Sequence, residues 1–197
     1  MNLNIQNKNA LVCGSTQGIG LATAILLAEE GVNVTLIARN EEKLKKTVAQ
    51  LPNKNQCHGY LVADFSKPKE LKEVLANSDL QFHILVNNTG GPEGGPIFKA
   101  KIEEFEGAFT QHLKCNHLLV QCLVPFMKTQ CFGRIINVIS TSVKQPLEGL
   151  GVSNTIRGAV ASWSKTLANE LGEFGITVNN VLPGATGTER LKEIINN

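Results

Sequence analysis

Short apolar runs alternate along the chain with longer segments whose apolar residues recur every three to four positions. Asn9–Cys13, Val32–Ala38, Gly59–Ala63, Ile84–Asn87, Arg134–Ile139 and Thr177–Leu182 read as strands. Several carry Val and Ile on both faces, the pattern of strands covered by helices above and below. Gly18–Glu30, Glu41–Gln50, Pro68–Ala76, Ile102–Lys128 and Val152–Gly172 read as helices. Parallel strands need crossovers, and these are nearly always right-handed. The rhythm therefore predicts an α/β fold, a doubly wound parallel sheet in three α/β/α layers with ligands at the carboxyl ends of its strands. No low-complexity stretch divides the chain, so residues 1–197 are expected to form a single domain.

Composition narrows the function. At 197 residues and 42% hydrophobic, the chain can bury a sizeable core. Nineteen Lys+Arg against seventeen Asp+Glu leave a net charge of +2, too balanced for a nucleic-acid partner. Neither a cleavable apolar leader nor a run near twenty apolar residues stands in the sequence, so no membrane partner and a cytoplasmic location are expected. Five scattered cysteines without a Cys-x-x-Cys pair suit a reducing compartment. His112 and His117 lie five residues apart, about 140° out of line on a helix, so no metal site is expected. A Gly-x-Ser-x-Gly elbow for hydrolytic chemistry is also lacking.

The first strand runs through Cys13-Gly14-Ser15-Thr16-Gln17-Gly18-Ile19-Gly20 directly into a helix. Glycines let a backbone approach a pyrophosphate, and a helix start offers unpaired N–H groups and partial positive charge. The spacing is Gly-x-x-x-Gly-x-Gly, with no Lys-Ser/Thr to make it a triphosphate loop. The same glycines would also serve a tight strand-to-helix turn that binds nothing. At the end of the second strand, where a dinucleotide fold usually has an acid for the ribose hydroxyls, stands Arg39. An arginine there can bond a 2′-phosphate, which favours NADP(H) and leaves NAD(H) as the second choice. Alternatively Arg39 is a solvated residue at the start of the next helix.

The glycine turn, Asn87-Asn88-Thr89-Gly90 after the fourth strand, Gly133-Arg134-Ile135-Ile136-Asn137 leading to Ser140, and Pro183-Gly184 after the sixth come in a fixed order. With them the chain resembles the short-chain dehydrogenase/reductase family over its whole length, and Gly133–Ser140 and Ser164–Gly184 look most like 3-oxoacyl-acyl-carrier-protein reductases. The resemblance implies a Rossmann-type dinucleotide-binding domain. It implies that Gly14, Ser15, Gln17, Gly18, Ile19 and Gly20 line the diphosphate and ribose, and that Asn87, Thr89 and Gly90 line the middle of the cofactor. Pro183, Gly184, Thr186 and Thr188 would hold the nicotinamide carboxamide. Asp64 would meet the adenine edge, or simply cap the turn after its strand.

The chemistry departs from the family pattern. Ser140 matches the serine that holds the substrate oxygen, but thirteen residues on, where a tyrosine is expected, stands Ser153. Arg157 replaces the lysine one helical turn later, and Gly158-Ala159 and Lys165-Thr166-Leu167-Ala168 fix the alignment. Tyr60, the sole tyrosine, is on the third strand. Pro125 and Met127 set a register that puts His112 in the place of the family's relay asparagine. Phe105, Phe109, His112 and Asn116 then share one helix face, with His112 either an inward polar group at the site or a hydrogen-bonded core histidine. A serine hydroxyl is far less acidic than a phenol, and an arginine cannot lose its proton at working pH, though it can still hold ribose hydroxyls. Cofactor binding should survive, while proton transfer would lose about the 10²–10⁴-fold that one positioned acid contributes. Lys144, four residues beyond Ser140, is the candidate substitute acid, against a solvated loop lysine.

The resemblance leaves two functions. One is an NADP(H)-dependent oxidoreductase that interconverts a carbonyl and an alcohol on a small-molecule substrate by hydride transfer. The other is a catalytically impaired cofactor-binding member acting as a sensor or partner subunit. Family members continue past Pro-Gly into a lid, a last helix and a final strand, whereas this sequence stops at Ile194-Ile195-Asn196-Asn197. Either a lid and tail are omitted or the member is shortened, and Thr177–Leu182 is then expected at an unprotected sheet edge. Val160, Trp163, Leu167 and Leu171 form an apolar stripe that suits either a subunit interface or an ordinary core, and a homodimer or homotetramer is expected.

Overall fold

The computed structural model describes residues 3–78, 81–189 and 191. Ile194–Asn197, where the sequence stops, lies outside them. Six parallel strands, β1 (Asn9–Cys13), β2 (Asn33–Ala38), β3 (Gly59–Val62), β4 (Ile84–Asn87), β5 (Gly133–Val138) and β6 (Ile176–Val181), lie in the order β3-β2-β1-β4-β5-β6. Helices α1 (Gly18–Glu29), α2 (Glu41–Gln50), α3 (Pro68–Ala76), α4 (Ile102–Phe109), α5 (Cys115–Thr129) and α6 (Gly151–Leu171) connect them. The strand order reverses between β1 and β4, so the chain has the topological switch point at which such sheets bind ligands.

Strand periodicity sorts the core into two layers. In β1, Ala10 and Val12 pack with Ala24 and Ala28 of α1 and Leu44 of α2, while Leu11 and Cys13 pack with Leu71 of α3, Leu119 and Leu123 of α5 and Leu171 of α6. These side chains are buried from both sides, as a parallel sheet demands. Trp163 and Leu167 pack on the second layer with buried Val160 and Leu171 on the same helix, so the apolar stripe of α6 serves the chain's own interior. Among the described strands β6 pairs only with β5, and its Thr177, Asn179 and Val181 are exposed at or near the edge.

The expected helix over Ile102–Lys128 is not continuous. Residues Thr110–Lys114 form one π turn, with the Cys115 N–H donating to the Thr110 carbonyl five residues back. The wider turn rotates α5 relative to α4. His112, Cys115, Asn116 and Leu119 are buried, whereas Phe109 is 46% exposed, so the four-residue face expected from a regular helix is broken at Phe109.

Candidate functional site

The glycine turn closes on itself. Gly14 and Gly18 both adopt φ of +56°, the left-handed region open to glycine. A Cβ on Gly14 would stand 2.3 Å from the Asn88 carbonyl oxygen, and one on Gly20 would stand 2.3 Å from that of Gly14. Asn88 Nδ2 donates to the carbonyls of Cys13 and Gly14, at 3.2 Å each, and so ties the end of β4 to the turn. Sequence reasoning assigns roles to Asn87 and Thr89 and misses Asn88 between them. Gln17 gives α1 no side-chain cap and its first turn holds no acid, so the helix start keeps its donors and positive end available. The fully buried Ser15 hydroxyl has no hydrogen-bond partner among the described residues. A Cβ on Gly90 would meet nothing within 4 Å, so the backbone after β4 faces open space. These features fit a phosphate-bearing cofactor laid across the turn.

The loop after β6 joins the same edge. A Cβ on Gly18 would touch Thr188 Cγ2 at 3.4 Å, and the Thr141 N–H donates to the Pro183 carbonyl at 3.3 Å. Thr186 Oγ1 donates to the Gly184 carbonyl at 3.3 Å, and the Leu191 N–H donates to the Thr188 carbonyl at 3.0 Å. At the far end of the crevice Arg39 is exposed beside Asp64. Burial pushes the Asp64 carboxyl upward, and this is outweighed by hydrogen bonds from Ser66 N and Oγ, both 2.8 Å to Asp64 Oδ1, and by the Arg39 and Lys67 charges. Its pKa therefore stays below the usual carboxylate value, and Oδ1 caps the turn after β3.

Asn87 sits beneath the crevice. It is buried and donates through Nδ2 to Asn137 Oδ1 at 2.7 Å. Asn137 in turn donates to Ser164 Oγ at 2.9 Å and Asn180 Oδ1 at 3.2 Å. The asparagines pair in register across β4, β5 and β6. The only sequence signal for Asn137 and Asn180 is an asparagine near the end of each of three successive strands.

Two family departures, Arg157 and His112, meet at the ends of β4 and β5. Arg157 is 7% exposed and donates from Nη1 to the Val138 carbonyl at 3.2 Å and, more weakly, from Nη2 to the Thr89 carbonyl at 3.5 Å. Burial pushes its pKa down to about 10, so it keeps its charge at neutral pH. His112 Nδ1 lies 2.5 Å from Thr89 Oγ1, while its Nε2 is buried without a partner among the described residues. Burial first, and the Arg157 charge second, push the imidazole down to about 3, so it is neutral. His112 is thus buried and joined by a hydrogen bond to the loop after β4, an arrangement that both alternatives share.

Ser140 Oγ accepts from the Ser142 N–H at 3.1 Å, which leaves its own O–H to donate to a ligand oxygen. Ser153 lies on the first turn of α6, partly buried, one turn before Arg157. Lys144 is exposed at the end of the short helical turn Thr141–Val143. Among the described residues no hydrogen bond joins the side chains of Ser153 or Lys144 to Thr89, His112 and Arg157.

The family model for short chain dehydrogenases matches residues 8–197. The chain is 34% identical over 184 residues to a 3-oxoacyl-acyl-carrier-protein reductase of Staphylococcus epidermidis, covering 90% of this chain and 75% of that protein. It is 32% identical over 187 residues to an (S)-acetoin-forming diacetyl reductase of the same organism, covering 93% and 73%. The crystal structure of L-sorbose reductase from Gluconobacter frateurii, complexed with NADPH and L-sorbose, superposes with a TM-score of 0.89 at 31% identity, covering 95% of this chain and 73% of that one. With the switch-point sheet and glycine turn already described, these likenesses place the chain in the short-chain dehydrogenase family of oxidoreductases.

Proposed function

We propose that the chain is an NADP(H)-dependent oxidoreductase that interconverts a carbonyl and an alcohol on a small molecule. The observation that carries this reading is the uncapped start of α1, held against β4 by Asn88 and edged by Gly14, Gly18 and Gly20. When bound, the nicotinamide coenzyme supplies or takes the hydride. The turn from Gly14 to Gly20, with Ser15, Gln17 and Ile19, would hold its diphosphate through backbone N–H groups at the helix start. Arg39 would pair with the 2′-phosphate, and Asp64 would meet the adenine edge with the carboxylate oxygen left over from its turn cap. Thr89, Gly90, Pro183, Gly184, Thr186 and Thr188 would border its central and nicotinamide portions, with Asn87 supporting them from below.

Ser140 orients the substrate oxygen with its free O–H. Arg157 holds fixed positive charge at the ends of β4 and β5 and does not exchange its proton at neutral pH. Ser153 occupies the phenol's place on α6 without the phenol's acidity. Lys144 is exposed on the loop after Ser140 and would have to swing inward to act as acid. The test is direct: titration with NADPH and NADH, then a screen for carbonyl-dependent NADPH oxidation over ketones, aldehydes and acyl thioesters. Turnover supports the reading, and binding without turnover on any of them would leave a cofactor-binding protein without catalysis.

The compartment and assembly belong to the same reading: a single cytoplasmic domain acting as a homodimer or homotetramer. Free cysteines suit a reducing compartment, and no described helix is long and apolar enough to cross a membrane. Ile97, Phe98 and Ile102 are 54%, 97% and 68% exposed at the start of α4, apolar surface of the kind a subunit contact covers.

A further inference from the structure

Ser140 and Arg157 bring a hydrogen-bond donor and a fixed charge to the ends of β4 and β5. Ser140 Oγ accepts from the Ser142 N–H at 3.1 Å and keeps its own O–H for a ligand oxygen. The buried Arg157 guanidinium is held by the Val138 carbonyl at 3.2 Å, two residues before Ser140, and by the Thr89 carbonyl at 3.5 Å. Its charge therefore stays in one place, with little water around it to screen it. A donor and a charge so fixed stabilise an oxygen that becomes negative, and the arginine does so without giving up a proton.

The proton-bearing groups of this corner are poor acids by comparison. Thr89, Ser140 and Ser153 are part-exposed hydroxyls, each far less acidic than a phenol. His112 is 1% exposed and turns one ring nitrogen to Thr89, so a substrate does not reach it. Tyr60, the sole phenol, lies on β3 and donates to Glu41 Oε1 at 3.1 Å, and the Lys144 side chain is exposed. Among the described residues, the corner stabilises an oxyanion better than it protonates one. The part-exposed hydroxyls also show that water reaches it.

We propose that the substrates are vicinal dicarbonyls, whose alkoxide is made weakly basic by the neighbouring carbonyl, and that water delivers the proton after hydride transfer. This rests on the reductase reading. In the reducing direction a C–H bond forms at the carbonyl carbon with hydride from the reduced coenzyme, which is thereby oxidised. The C–O π bond breaks, and its electron pair stays on oxygen, facing the Ser140 O–H and the Arg157 charge. Water then protonates the alkoxide and leaves as hydroxide. An ordinary ketone, whose alkoxide is strongly basic, forfeits about the 10²–10⁴-fold that a positioned acid contributes, whereas a dicarbonyl forfeits little.

The test gives the full chain and NADPH two substrates of similar size, 1-phenylpropane-1,2-dione and propiophenone. The kcat/KM for the dione should exceed that for propiophenone by about 10²-fold or more and stay level from about pH 6 to 8, where no side-chain acid is being lost. Ser153→Tyr should raise the propiophenone rate at least about tenfold more than the dione rate, because the phenol supplies the proton that only the ordinary ketone lacks. A readout without turnover is 4-nitrophenol, whose anion absorbs in the visible. Bound to the protein without coenzyme, it should ionise about one pH unit lower than in water, a tenfold preference for the phenolate. Ser140→Ala should abolish that shift, and Arg157→Lys, which keeps the charge, should retain it. Propiophenone reduced as fast as the dione, a substrate ratio unmoved by Ser153→Tyr, a rate that falls as one acid titrates, or nitrophenol bound un-ionised would each overturn the proposal while leaving the reductase reading in place. NADPH binding with neither ketone reduced would overturn both.

Discussion

Lowering the pH from 7 to 5 should remove about 2 kcal/mol of stability through His112 alone. In the fold, burial and then the Arg157 charge hold this imidazole at about 3, whereas an unfolded histidine titrates near ~6.5. A histidine depressed in this way contributes stability that is fully present above ~6.5, where both states are neutral. Below that value the unfolded chain takes a proton that the folded protein refuses. Stability then falls by about 1.4 kcal/mol per pH unit until the folded group itself titrates, near 3. For a protein of this size about 2 kcal/mol corresponds to a fall of roughly 4–8 °C in Tm. The assay is thermal unfolding at pH 7, 6 and 5 and constant ionic strength, for the natural protein and His112→Gln. Glutamine keeps a polar group near Thr89 and does not titrate. His83, lowered by burial and then by Lys8, acts in the same direction in both proteins and cancels in the difference. The natural protein should lose roughly 4–8 °C more than the variant between pH 7 and 5. Parallel declines would refute the buried, neutral His112.

Other expectations rest on single contacts. Arg39→Asp should weaken NADPH binding about tenfold or more and leave NADH little changed, checked by titration of both; equal effects would overturn the 2′-phosphate assignment. Asn88→Ala removes the two 3.2 Å bonds to the glycine turn and should lower stability by about 1–2 kcal/mol while weakening NADPH, measured by denaturant unfolding and the same titration. Ser153→Tyr restores a phenol one turn before the Arg157 charge and should raise the turnover of any carbonyl the protein reduces by about 10²-fold or more, read from kcat. Lys144→Met should reduce that turnover if the lysine is the acid, and a full rate in this variant would remove Lys144 from the reaction.

The sheet was legible because its strands obey one local rule. Strands buried on both faces read as Val- and Ile-rich runs, and each observed strand begins and ends within about one residue of its expected bounds. The glycine turn was equally plain, since its residue types are imposed by φ and by contacts as close as 2.3 Å. The break at Thr110–Lys114 was not, because that segment holds neither proline nor glycine, and the π turn instead accompanies the burial of His112, Cys115 and Asn116. The tie from Asn88 to Gly14 and the grip of Arg157 on Val138 span 74 and 19 residues, and no periodicity reports a bond between residues that far apart. Asp64 shows how one residue can satisfy a local role, capping its turn, without deciding the more distant one.

The central claim is that the crevice over the glycine turn takes NADP(H). Direct titration of the purified chain with NADPH, followed by nicotinamide fluorescence or heat, is its most immediate test. The expected result is saturable binding at one site per chain, about tenfold or more tighter than for NADH and abolished by Gly20→Ala, whose Cβ would press on the Gly14 carbonyl at 2.3 Å. An isotherm that stays flat for NADPH up to millimolar concentration, or binding untouched by Gly20→Ala, would contradict it.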